Sequence, residues 1–297
     1  MCAIIRIAFF SEIGGRRYRS AVVMLQFRKI GRRGFVKYAA AGVVAAASSA
    51  YYTKGSWGPY LESMSKSTKP APTTRLKDLH LASNIQTRDS DALIIVDMQN
   101  DFMPSGALGV KGGDEIIASM NNLAERFHRP GNLIIMTQDW HPQGHLSFAS
   151  SHGKKPFDPY ESEGIGPVLW PDHCVQGTLG AEFHTDVQVK YAKAIVRKGY
   201  HPTVDSYSTF IENDKKTYTG LSGYLKELGK KRVFLCGLAL DYCVYYSAMD
   251  GRELGVEAVV VIDLTKAIDS PPSHLSNALN TMIQKGVQFT RSENIMT

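Results

Sequence analysis

The 297-residue chain carries a formal charge of +6, with 43% hydrophobic and 21% charged residues, the make-up of one ordinary globular domain with an extra segment. Ten Lys or Arg against Glu12 and Glu62 put +8 into residues 1–63 and leave −2 for the rest, so the body has no basic footprint for nucleic acid. Four cysteines, Cys2, Cys174, Cys236 and Cys243, with no Cys-x-x-Cys pair, exclude a disulfide framework.

Residues 1–63 read as a basic leader. Within it Gly31-Arg32-Arg33-Gly34-Phe35-Val36-Lys37 precedes an alanine-rich run from Tyr38 to Ala50, too short to span a bilayer alone. The arginine pair resembles a bacterial twin-arginine export signal, with Met24 as its start. An Arg-rich mitochondrial transit peptide is a second reading, and a cytoplasmic protein starting at Met64 is a third. All three leave the leader outside the fold.

Residues 64–89 lack periodicity and hold Pro70 and Pro72, so they read as linker, with the folded domain over 90–297. From there strand and helix patterns alternate. DALIIVD (91–97), NLIIMTQ (132–138), AKAIVRK (192–198), KRVFLCG (231–237) and EAVVVID (257–263) are apolar, β-branched runs. EIIASMNNLAERFH (115–128), LSGYLKELG (221–229), CVYYSAMDGRELG (243–255) and HLSNALNTMIQKG (274–286) have helical spacing and stop signals, and VQFT (287–290) is a last short strand. Strands without polar alternation suit a mostly parallel sheet covered on both faces, a three-layer α-β-α fold of the α/β class. One stretch, Gln143 to Thr185, is rich in Gly, Pro and His and breaks the rhythm, as functional insertions do.

Open parallel sheets bind ligands beyond the carboxyl ends of their strands. Here those ends carry Asp97, Asp139, Lys198 and the turn from Gly237 to Cys243. Asp139 and His141 stand two positions apart on an extended segment, so both side chains reach one ion. The insertion supplies His145, His152 and His173 as further donors. His173 is favoured because Pro171 stiffens its approach, and one Asp with two His suits Zn²⁺, Fe²⁺ or Mn²⁺. His145 is placed to be a fourth ligand or a supporting donor, whereas Cys174 and Cys236 read as small buried hydrophobes. Cys243, at a strand-to-helix junction, is expected on the first helical turn, where free N–H groups favour the thiolate. Asp97 as base and Lys198 as the cation between them make it a nucleophile.

VDMQNDFMPSGALGV (96–110), TQDWHPQGHLSFASSHG (137–153), WPDHCVQGTLGAEFH (170–184), RKGYHPTVDSYSTF (197–210) and GLALDYCV (237–244) resemble the nicotinamidase/pyrazinamidase branch of the isochorismatase-like cysteine hydrolases. The resemblance implies that fold for residues 90–292, with Asp97, Lys198 and Cys243 catalytic. It implies one divalent ion on Asp139, His141 and His173, with Zn²⁺ leading and Fe²⁺ or Mn²⁺ as alternatives. Phe102 and Trp170 match residues that sandwich a pyridine ring, and Tyr207 matches a position near the pocket mouth. A cis peptide between Leu238 and Ala239 is implied, turning the amides of Ala239 and Cys243 toward one oxyanion. The family usually has Thr where this chain has Leu240, so one hydroxyl that ties down the loop is missing.

The implied reaction is hydrolysis of nicotinamide, with pyrazinamide as a related substrate, to the acid and ammonia through a thioester, as in NAD salvage. An isochorismatase needs neither the cysteine nor the metal set, and carbamoyl-amide hydrolases grip a carboxylate with cations. A non-catalytic scaffold on the same fold is the reading outside enzymes. The implied partner is a small molecule and the catalytic domain is expected to be soluble, with homo-oligomerisation left open.

Overall fold

The computed structural model describes residues 73–297, together with the backbone of an antiparallel strand pair, β1 (Phe10–Ile13) and β2 (Arg16–Arg19). That pair falls in the unit Met1–Lys54, and the large sheet in the unit Gly55–Thr297. The Arg32–Arg33 pair and the alanine-rich run lie outside the described residues. Among the described residues no helix is long and apolar enough to cross a membrane.

The remaining strands are β3 (Leu81–Ala82), β4 (Ile85–Gln86), β5 (Asp91–Val96), β6 (Leu133–Asp139), β7 (Ala194–Lys198), β8 (Arg232–Leu238), β9 (Glu257–Lys266), β10 (Gln288–Thr290) and β11 (Ile295–Met296). Seven of them form one sheet in the order β3-β10-β9-β8-β5-β6-β7, and every pair in it is parallel. The helices are α1 (Ile117–Phe127), α2 (Leu221–Glu227), α3 (Tyr245–Glu253) and α4 (His274–Gln284). They flank the sheet in the three-layer arrangement expected from unalternating strands.

Strands β5, β6 and β8 are buried along their whole length, which is why their sequences show no period of two. In α1, Ile117, Met120, Leu123, Ala124 and Phe127 are buried, the three-and-four spacing of a helix with one apolar stripe. Strand β7 differs, because Ile195 and Arg197 face solvent from the sheet edge.

The linker reading of 64–89 needs correction at its end. Leu81–Ala82 pairs with β10 as the outermost strand, and Ile85–Gln86 pairs with β11. Two-residue strands are too short to leave a periodic signal, so only the partner strands reveal them.

The chain runs from β5 outward to β6 and β7, then returns to place β8 on the other side of β5. This reversal is a topological switch point, and it opens a crevice between the carboxyl ends of β5 and β8. Gly237 sits there with φ +102, where a Cβ would collide with the Val96 carbonyl; only glycine allows the two strands to approach so closely.

Candidate active site

Asp97 leaves β5 with φ +48, a left-handed conformation that Asp adopts more readily than most residues. Its Oδ1 accepts a hydrogen bond from Thr137 Oγ1 at 2.6 Å, and its Oδ2 faces Lys198 Nζ at 2.8 Å. Lys198, at the end of β7, is fully buried. Its ammonium also pairs with Asp139 Oδ1, donates to Ser206 O at 3.0 Å and stands 3.5 Å from Cys243 Sγ. One cation therefore joins the proposed base, the thiol and the candidate metal ligand Asp139, and its pairing with Asp139 is the contact that sequence reasoning did not foresee. Donor atoms of Asp97, Asp139 and Cys243 lie within 4.8 Å of one another, but the Lys198 ammonium already supplies their positive charge.

The electrostatics follow from that arrangement. Burial raises the Asp97 carboxyl and Asp139 raises it further, against the pull of Lys198. Burial also works against ionised Asp139, yet Lys198 and His141 outweigh it and hold that carboxyl well below its usual range. Burial pushes the Cys243 thiol up, although Lys198 opposes it. The expectation of a helix-stabilised thiolate is thus corrected. Cys243 sits in a π-helical turn, Leu240–Val244, ahead of α3, and it rests as a buried thiol that needs a base.

The metal set comes together as expected. His141 Nε2 lies 3.6 Å and His173 Nε2 3.7 Å from Asp139 Oδ2. His141 Nδ1 donates to Gly199 O at 2.8 Å and His173 Nδ1 to Pro171 O at 2.8 Å, so each ring turns its Nε2 lone pair toward the carboxylate. His141 Nε2 is buried and has no hydrogen-bond partner. An orphaned imidazole nitrogen beside a carboxylate and a second imidazole fits one divalent ion. Gln99 fixes the frame, accepting from the Asp139 N–H at 2.8 Å and donating to Asp139 O at 2.7 Å.

His145 does not join this set. Its Nδ1 bonds Ser147 Oγ at 2.7 Å, and its Nε2 donates to His201 O and Val204 O at 2.9 and 3.1 Å. Burial and then His141 bring its pKa down to about 4, so it packs as a neutral ring 4.5 Å from the His141 centroid. His152 bonds Leu146 O at 2.8 Å near the surface. Removal of His173 by alanine is expected to lower bound metal at least about tenfold in affinity, read by elemental analysis after gel filtration; a full equivalent retained would contradict the set.

A small pocket connects these groups. Phe102, Trp170, Tyr207, Tyr242, Leu108 and Ile268 make its apolar walls, with Asp139, His173, Ala239 and Cys243 at the reactive surface. Tyr207 is 4% exposed and lines the pocket. Its hydroxyl accepts from Trp170 Nε1 at 3.0 Å and donates to Gly166 O at 2.9 Å, so it locks the indole from behind. Sequence reasoning missed Tyr242, whose ring stacks on His274 at 4.4 Å and whose hydroxyl donates to Ser270 O at 2.5 Å. The peptide between Leu238 and Ala239 is cis, as implied. Leu240 is buried, and its turn is tied instead by Asp241, whose carboxylate accepts the Ile268 and Asp269 N–H groups at 3.0 and 2.7 Å.

Behind the site, Glu212 Oε1 accepts the Gly199 N–H at 3.3 Å, and burial pushes its carboxyl from 4.5 up to about 7. A raised folded pKa favours the protonated form, so this group's contribution to stability is lost as pH rises from about 4.5 through about 7. Glu212→Gln should flatten that fall, measured as urea midpoints below and above the window.

The isochorismatase domain model matches residues 91–294. The chain belongs to the isochorismatase family. Within that family it is 48% identical to the nicotinamidase of Acinetobacter baylyi over 206 residues, 69% of this chain and 94% of that relative. The solved structure of an Acinetobacter baumanii nicotinamidase/pyrazinamidase matches with a TM-score of 0.66 and 45% identity, covering 69% of this chain and 98% of that one. The Pyrococcus horikoshii pyrazinamidase, solved in complex with zinc, matches with a TM-score of 0.56 and 38% identity over 68% of this chain and 99% of its own. For this isochorismatase-family chain, then, the sheet, the switch-point crevice and the similarity to nicotinamidases agree.

Proposed function

We propose that the chain is a nicotinamidase, a metal-assisted cysteine amidohydrolase that converts nicotinamide and water to nicotinate and ammonia. The observation that carries this reading is the Lys198 ammonium, buried between Asp97, Asp139 and Cys243, the last two of which line an aromatic pocket. The pocket lining adds Asp205 and no Arg or Lys, which suits a flat neutral ring and opposes a carboxylate-bearing substrate.

The ring lies against Phe102 and Trp170 with its carboxamide carbon at Cys243. Asp97 takes the thiol proton, and the sulfur attacks that carbon. Burial makes Asp97 a stronger base than a solvated carboxylate, and Lys198 keeps it ionised before substrate enters. The amides of Ala239 and Cys243 receive the oxyanion, a contact worth about 3 to 4 kcal/mol per donor. Asp97 returns the proton to the departing nitrogen, so ammonia leaves and a thioester remains on Cys243. Asp97 then deprotonates a water, which attacks the thioester and frees nicotinate and the thiol. Asp139, His141 and His173 would hold a divalent ion, Zn²⁺ foremost, which would supply Lewis acidity beside the pocket.

Ammonia release from nicotinamide by the purified chain, before and after chelation and metal restoration, tests the reading. Release that falls with the chelator and returns with metal supports it. Absence of release from a metal-loaded protein would favour a scaffold on the same fold.

A further inference from the structure

Asp205 is a buried pocket-lining carboxylate to which the reaction above gives no work. It is 2% exposed and lines the cavity. Its Oδ1 accepts the Ser206 N–H at 2.8 Å and stands 4.0 Å from His141 Nε2. Its Oδ2 is buried with no hydrogen-bond partner. A carboxyl oxygen in that condition is costly unless something donates to it. The ammonium of Lys198 is already engaged by Asp97, Asp139 and Ser206 O. The loop cannot readily turn the group outward either. The Asp205 N–H donates to Gly164 O at 2.8 Å, the Asn213 N–H donates to Asp205 O at 2.8 Å, and His145 Nε2 holds the Val204 carbonyl at 3.1 Å.

The Asp205 carboxyl comes within 4.0 Å of the orphaned His141 Nε2 through its Oδ1, its Oδ2 still lacks a donor, and a hydrated cation at His141 would supply one. The imidazole nitrogen takes the ion, and a water on the ion has protons to give. We propose that Asp205 is the outer carboxylate of the metal centre, accepting a hydrogen bond from a metal-bound water and so strengthening the hold on the ion. This rests on the assignment of Asp139, His141 and His173 as ligands. Asp205 is a positioning residue beside them. The donors of those three lie within 4.8 Å of one another, whereas Asp205 groups with His141 and His145, and both nitrogens of His145 are already hydrogen-bonded. Outer partners of this kind change metal affinity about 10- to 100-fold.

The test is the Zn²⁺ affinity of the full chain, measured by competition with a chromogenic chelator, for the parent, Asp205→Asn and His173→Ala. Asparagine keeps the shape and an oxygen for the Ser206 N–H. Asp205→Asn is expected to bind Zn²⁺ about tenfold more weakly or worse, with the metal-free urea midpoint unchanged or higher. Equal affinity in the parent and Asp205→Asn, with His173→Ala weakened, overturns the proposal and leaves the three-ligand centre standing. A lower metal-free midpoint with unchanged affinity also overturns it, since Asp205 is then structural only. Zinc held equally by all three proteins overturns the proposal and the centre together.

Discussion

Cys243→Ala is expected to lose at least about 10³-fold of nicotinamide turnover, because the variant keeps binding and orientation but has no atom to form the thioester. Bound metal should stay at the parent level. Cys243 Sγ belongs to the Lys198 side of the site, whereas the metal set is Asp139, His141 and His173. Folding should change little, since alanine removes one buried sulfur at the edge of a pocket that already holds open space. Turnover assays and elemental analysis on the same preparation separate these outcomes. Activity within about tenfold of the parent would refute the nucleophile assignment.

Lys198→Met should be the most damaging change to the metal-free protein. The ammonium is fully buried and compensates two buried carboxylates at once, Asp97 and Asp139. Without the cation the two buried carboxyls cannot both stay ionised, and breaking a buried pair in this way typically costs about 3 to 5 kcal/mol. Turnover should also vanish, because Asp97 would hold its proton and could not serve as base. The double variant Lys198→Met with Asp97→Asn removes one of the two stranded carboxyls. It should recover part of the lost stability in urea and none of the activity. If Lys198→Met alone is as stable as the parent, the ammonium is not the organising charge described here.

Much of this site was legible because parallel sheets put chemistry in a predictable place. Asp97, Asp139 and Lys198 each end an apolar run, and a polar residue there has no packing reason to exist. The pairing of Asp139 with His141 followed from two-residue spacing alone, and the choice of His173 over His145 from the stiff approach at Pro171. The structure adds the reason that His145 fails, since both its nitrogens are hydrogen-bonded. Other features left no pattern to read. Asp205 lies in an irregular loop and Tyr242 in the π-helical turn, and what each faces depends on contacts distant in sequence. Thr137 and Gln99 act through hydrogen bonds across 40 residues of chain. The direction of the Cys243 shift was misjudged for a related reason. Its place at a helix start is local and readable, whereas the burial that raises the thiol comes from the whole surrounding fold. Strand β3 was missed because two residues cannot show a period.

The central claim is that a thioester forms on Cys243 while ammonia leaves. Acid quench of the metal-loaded chain during a single turnover of nicotinamide, followed by peptide mass spectrometry, tests it most directly. A nicotinoyl group on the peptide containing Cys243, appearing with ammonia and decaying as nicotinate forms, is the predicted result. Ammonia and nicotinate produced together with no acyl group on Cys243, and at an undiminished rate in Cys243→Ala, would contradict it.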